Sequence, residues 1–160
     1  MAKQDSRVPE ELFALSDDPR VTVRRDGVPD SDGRCVVYWM QRAQRGLDNH
    51  AVDIAVEVAN LLGLPLVVYF AGISNFPHAN LRHYVFLNQG LKDIEEDLPR
   101  RNIAFVMRRA PYESHEKLLA DVRAVFLIGD ENPMREPERW RKELASRVRI
   151  PFWKIGRAHV

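Results

Sequence analysis

Two kinds of apolar run alternate along the chain, short continuous ones and longer ones broken at helical spacing. The clearest short run is Cys35-Val36-Val37-Tyr38-Trp39-Met40, set between the Asp32-Gly33-Arg34 turn and the polar Gln41-Arg42. A continuous β-branched and aromatic run of this length predicts a strand buried on both faces. Similar runs predict strands over Leu64–Phe70, Ile103–Met107 and Ala124–Ile128, and a fifth beginning at Ile150-Pro151-Phe152-Trp153. Between them the spacing predicts helices. The first, Leu47–Leu62, has Asp48 or Asn49 to cap it and Gly63 to stop it. Its polar stripe is only Asp53, Glu57 and Asn60, so the rest must be covered. The second, Ala79–Leu98, carries Leu81, Tyr84, Val85, Leu91, Ile94 and Leu98 on one face and is ended by Pro99. A short helix, Ser114–Val122, has Ser114 as its cap, and Pro137–Arg147 turns Trp140 and Leu144 inward. Strands alternating with helices predict an α/β fold: an open, five-stranded parallel sheet, Rossmann-like, with right-handed crossovers and helices on both faces.

Met1–Gly33 is polar and reads as an N-terminal extension without a core of its own, with a helical turn at Leu12–Leu15 and a brief extended piece at Val21–Val23. Arg20, Arg24 and Arg25 read as solvated surface, with DNA phosphate contact as the alternative. The α/β domain proper spans 34–154. The tail 155–160, Ile-Gly-Arg-Ala-His-Val, continues no pattern and looks like translated adapter DNA joined to a cut-off reading frame. On that expectation the chain is the front piece of a longer protein; an ordinary C-terminal tail is the alternative.

Composition narrows the function. A length of 160 residues suits one domain, and 45% apolar with 29% charged residues is ordinary for a globular protein. The net charge of +1 gives no global footprint for nucleic acid, so any such contact is local or supplied by another part of a larger protein. No apolar run approaches the roughly 18 residues of a membrane span. Cys35 is the single cysteine, which fits a reducing cytoplasm and reads as a small strand hydrophobe.

Ligands of open α/β sheets bind beyond the carboxyl ends of the strands, where the strand order reverses. If later strands add on the far side of the first, Met40, Gln41, Arg42 and Arg45 face Asp130, Asn132 and Arg135 across that switch point. The turn has Gly46 alone and no phosphate-cradling glycine motif, so a dinucleotide is not expected on this helix. Arg42 and Arg45, with amides at Gln41, Gln44 and Asn49, suit an anionic or planar ligand. Their alternative is structural, an ion pair from Asp130 to Arg42 or Arg45. The five histidines are scattered, so no metal is expected, and Ser74 and Ser114 lack a nucleophile-elbow setting. No catalytic residue is read in this chain.

These residues resemble a family. Val37-Tyr38-Trp39-Met40-Gln41-Arg42, then Asp48-Asn49 opening an Ala-rich helix, resembles the start of class II deoxyribodipyrimidine photolyases. Arg82-His83-Tyr84-x-Phe86 followed by Gly90-Leu91, Asp130-x-x-Pro133-Met134-Arg135 and Ile150-Pro151-Phe152 are similar to later motifs of that family, in order. Leu12–Asp26 resembles the extension of its bacterial members. The likeness covers about residues 8 to 154. His50 stands where the family usually has Trp, and Ala43 where an acidic residue is frequent.

The resemblance implies repair of cyclobutane pyrimidine dimers in UV-damaged DNA by light-driven electron transfer from reduced FAD. It makes this chain the antenna half, able to hold a deazaflavin or methenyltetrahydrofolate between the Met40–Arg45 turn and the Asp130–Arg135 loop. FAD and the flipped-out lesion belong to a C-terminal helical domain that this chain lacks; that domain is its expected partner, in a protein monomeric when complete. The fragment by itself is expected to be inactive and to bind no FAD. Two other readings compete: a cryptochrome-like photoreceptor without repair activity, and a stand-alone nucleotide-binding module of the universal-stress type. The latter needs a glycine-rich phosphate loop near the fourth strand, for which Asp130-Glu131-Asn132-Pro133 is a poor substitute.

Overall fold

The computed structural model describes residues 9–110 and 115–157. In chain order the elements are α1 (Glu10–Ser16), β1 (Val21–Arg25), β2 (Cys35–Met40), α2 (His50–Leu62), β3 (Leu66–Ile73), α3 (Leu81–Arg100), β4 (Ala104–Ala110), α4 (His115–Asp121), β5 (Ala124–Asp130), α5 (Arg135–Arg147) and β6 (Phe152–Ile155). They form one sheet in the order β1-β6-β5-β2-β3-β4. The five strands from β2 onward pair in parallel, and β2 is central between β3 and β5.

Every residue of β2 is buried, because helices cover both faces of the sheet. Val36, Tyr38 and Met40 face α2 and the back half of α3, whereas Cys35, Val37 and Trp39 face α4 and α5. The period of two along a strand thus divides one apolar run between two cores. Asn49 caps α2, its Oδ1 accepting from the N–H groups of Ala51 and Val52, and Gly63 ends the helix in the left-handed region at φ 64°.

Three features depart from the sequence reading. The sheet has six strands, since Val21–Arg25 adds antiparallel to β6, with Val21 opposite Ile155. The extension therefore shares the domain's core: Leu12 of α1 is buried against the α2 side. A short, half-exposed edge strand leaves no periodicity strong enough to announce itself in sequence. Its arginines are engaged internally, Arg20 with Asp18 at 2.6 Å, Arg24 with Glu138 at 2.5 Å and Arg25 with the carbonyl of Ala145. Second, Ile155 ends β6, is buried, and is followed by a Gly156 N–H donating to the Arg20 carbonyl. The strand thus runs one residue past the drawn boundary at Lys154; the last three tail residues, like the Ser114 cap, lie outside the described residues. Third, α3 runs to Arg100 with Pro99 in its final turn. Only Leu91, Ile94 and Leu98 of its expected apolar face are buried, while Leu81 and Phe86 are each 78% exposed.

Candidate functional site

β2 and β5 lie side by side with their carboxyl ends together, Trp39 opposite Gly129, so the switch point falls where the alternation predicts. Asp130, the last residue of β5, is buried there, and its carboxylate accepts three backbone N–H donors from the turn after β2. They come from Gln41 at 2.7 Å, Arg42 at 2.6 Å and Ala43 at 2.6 Å. Burial pushes the Asp130 carboxyl above the usual range, and the three donors pull part of that back. The expected Asp130 ion pair to Arg42 or Arg45 is not among the interactions of the described residues, because the backbone has taken both carboxylate oxygens. This internal anion sits where a dinucleotide phosphate would need those same N–H groups. A phosphate there would find the N–H groups of Gln41, Arg42 and Ala43 already bonded and a like charge among them, so these three amides cannot cradle a dinucleotide phosphate.

Asn49 fixes the other end of the turn. Its Nδ2 donates to the carbonyls of Ala43 at 2.8 Å and Arg45 at 3.0 Å, while its Oδ1 caps α2. One buried amide thus uses all its capacity inside the protein. Asp48 just before it adopts φ 48°, a left-handed conformation that aspartate tolerates better than most residues.

Between this turn and α3 lies a cavity of about 750 Å³, within the size range of small-molecule sites. Arg42, Arg45, Asn49 and Asp130 line it, with Leu47, Phe86, Leu87 and Ile94 as apolar wall and Glu131, Gly156 and Arg157 at the β5–β6 side. Both arginine side chains are exposed and form no ion pair among the described residues. Met40 is buried below the turn, and the Gln41 side chain is turned away to accept from Arg141. Arg135 begins α5, is exposed, and does not line the cavity. Four of the seven residues singled out from sequence therefore share one cavity, which opens toward α3 rather than toward the Asn132–Arg135 loop.

Sequence reading missed Arg141, which is only 1% exposed. Its guanidinium donates to Gln41 Oε1 at 2.7 Å, to the Asn132 carbonyl at 2.5 Å and to Glu138 Oε2 at 2.6 Å. It thus ties the turn after β2 to the loop after β5 from the opposite side of Asp130. The available signal was its place on the α5 face shared with Pro137 and Leu144, one turn after Glu138. On that same side of the sheet the His115 ring packs against Trp39, with centroids 4.3 Å apart and planes tilted by 42°, and its Nδ1 lies 3.2 Å from the Tyr69 hydroxyl. Burial lowers the His115 pKa from 6.5 to about 4. The folded state therefore binds this proton less readily than the unfolded chain, so stability is full above about pH 6.5 and falls as pH drops toward 4. Urea titrations at pH 7 and 4.5 should show wild type losing roughly 2 kcal/mol more than His115→Gln on acidification. Equal losses in the two proteins would remove His115 as the cause.

Comparison with known proteins identifies the family. The model of the family described as DNA photolyase matches residues 36–154. A deoxyribodipyrimidine photo-lyase of Methanothermobacter thermautotrophicus is 39% identical over 127 residues, covering 79% of this chain and 28% of that protein. The enzymes of that name from Arabidopsis thaliana and Potorous tridactylus are 33% and 29% identical, and each is covered over 23% of its length. The chain thus spans about a quarter of the relatives it matches. A solved protein of the universal stress protein family from Burkholderia pseudomallei superposes with TM-score 0.47 at 18% identity, covering 82% of this chain and all of that one, a likeness that carries no argument. With the family match running from the second residue of β2 into β6, the chain belongs to the DNA photolyase family.

Proposed function

We propose that this chain is the antenna half of a class II photolyase and that its cavity holds a light-harvesting pigment, a deazaflavin or methenyltetrahydrofolate. The observation that carries the reading is what the cavity leaves free. Asp130 holds the N–H groups of Gln41, Arg42 and Ala43, and Asn49 Nδ2 takes the carbonyls of Ala43 and Arg45, so a ligand meets apolar walls and two guanidinium groups that form no ion pair among the described residues. That donor set suits a flat, largely apolar ring system bearing an anionic or carbonyl edge. Arg42 and Arg45 would contact the pigment, while Met40, Gln41, Asn49 and Asp130 hold the turn that presents them.

When bound, the pigment supplies excitation energy to reduced FAD. The flavin is held by a helical domain outside this chain, in a protein that repairs cyclobutane pyrimidine dimers in UV-damaged DNA. Here the chain's own residues bind, orient and shield; they perform no bond chemistry. The chain alone should form no tight FAD complex in an absorbance titration.

Fluorescence titration with 8-hydroxy-5-deazaflavin and with methenyltetrahydrofolate tests the site. Wild type should saturate with one of them. Arg42→Ala combined with Arg45→Ala should weaken it tenfold or more, equivalent to about 1.4 kcal/mol. Arg135→Ala should stay within twofold. Absence of saturable binding by either pigment, or an unchanged double variant, overturns the assignment.

A further inference from the structure

Gly90 sits near the middle of the 20-residue α3, although glycine is among the poorest helix formers. Nothing in the packing of the described residues asks for it, since a methyl group built there would meet none of their atoms within 4 Å. Its neighbours on the same helical face, Phe86, Leu87, Asp93 and Ile94, line the cavity with it. The opposite wall behaves differently. A methyl group on Gly46 would come within 2.7 Å of Asp97 Cβ, and the Gly46 carbonyl accepts from Arg101 at 2.9 Å. The space between turn and helix is therefore pinned shut at Gly46–Asp97 and open at Gly90. Two apolar side chains stand there without cover, Leu47 on the turn and Phe86 on the helix.

We propose that Gly90 determines the specificity of the cavity: the bare α3 backbone at this position is the surface on which a flat, fused-ring heterocycle lies, with Phe86 and Leu47 closing over it. Alanine would raise the floor by a methyl group, enough to break flat contact in a close-packed site. A leucine would fill the slot. The proposal rests on the antenna reading above and adds to it the residue that selects ring thickness.

Gly90→Ala and Gly90→Leu are compared with wild type in the 160-residue chain by thermal unfolding and by 8-hydroxy-5-deazaflavin fluorescence titration. Gly90→Ala should bind at least tenfold more weakly, Gly90→Leu should show no saturable binding, and both should melt at or above the wild-type temperature. Wild-type affinity in Gly90→Leu overturns the proposal. So does a lowered melting temperature in Gly90→Ala, which would show that the fold itself requires glycine. If wild type binds this pigment and Arg42→Ala with Arg45→Ala weakens it while the Gly90 variants do not, this inference alone falls. If wild type binds neither this pigment nor methenyltetrahydrofolate, the antenna reading falls and takes the inference with it.

Discussion

Asp130→Ala is expected to lower the unfolding free energy by about 4 kcal/mol, a large share of the roughly 5–15 kcal/mol of a typical domain. The substitution strands the N–H groups of Gln41, Arg42 and Ala43, whose acceptors are the two carboxylate oxygens at 2.6–2.7 Å. Each stranded buried donor costs roughly 1–3 kcal/mol, and relief from burying a carboxylate offsets part of the sum. Asp130→Asn keeps one acceptor oxygen and should lose about half as much. Urea unfolding of the three proteins measures both steps. A loss under about 1 kcal/mol for the alanine variant would mean that water replaces the carboxylate and that the turn does not depend on it. The same variant should loosen Arg42 and Arg45, so pigment affinity is expected to drop even though Asp130 offers the ligand no free oxygen.

Arg141→Met should cost about 3 kcal/mol, the lower end for removing one partner of a buried charged network. Methionine fills most of the volume but leaves Gln41 Oε1 and the Asn132 carbonyl without their donor. Glu138 is not orphaned, because Arg24 still reaches it at 2.5 Å, and this keeps the effect below the top of the range. Arg139→Ala is the matching control on the same helix. Its pair with Glu143 is 3.8 Å long and solvent-exposed, so the loss should be under about 1 kcal/mol. If the two substitutions cost the same in urea unfolding, the guanidinium of Arg141 is not what joins the two loops.

The order of elements from β2 onward was legible because continuous apolar runs and helical spacing are properties of neighbouring residues. Cys35–Met40 reads as a doubly covered strand from its own side chains, and Asn49 and Gly63 mark the ends of α2 by local backbone chemistry. The switch point was legible too, as a consequence of strand order. What escaped depends on partners far away in sequence. Val21–Val23 becomes a strand only because β6 offers an edge, and Arg141 is buried only because two distant loops supply oxygens. Asp130 was placed correctly opposite the arginine turn, but its partner is the peptide backbone, which is the same in every sequence and leaves no mark on residue choice. The position of Arg135 off the cavity follows from the same limit, since the side of the sheet on which a loop opens is set by the helices that pack there. Leu81 illustrates the reverse case. It was read as part of the inward face of its helix, yet it is 78% exposed, as is Phe86, which was not among the residues read as that face.

The pairing of β1 with β6 joins, in chain order, the first and last of the six strands described in this sheet. At roughly 5–20 residues per second, Val21–Arg25 must wait several seconds on the ribosome before Phe152–Ile155 emerges to receive it. Until then, or after proteolytic trimming of the leading segment, β6 presents an unguarded rim on which every residue is buried in the finished fold. Such a rim is a template for strand addition between molecules. The leading segment therefore acts as a built-in guard against self-association, and shortened versions of this chain should precipitate sooner than they lose their helical content.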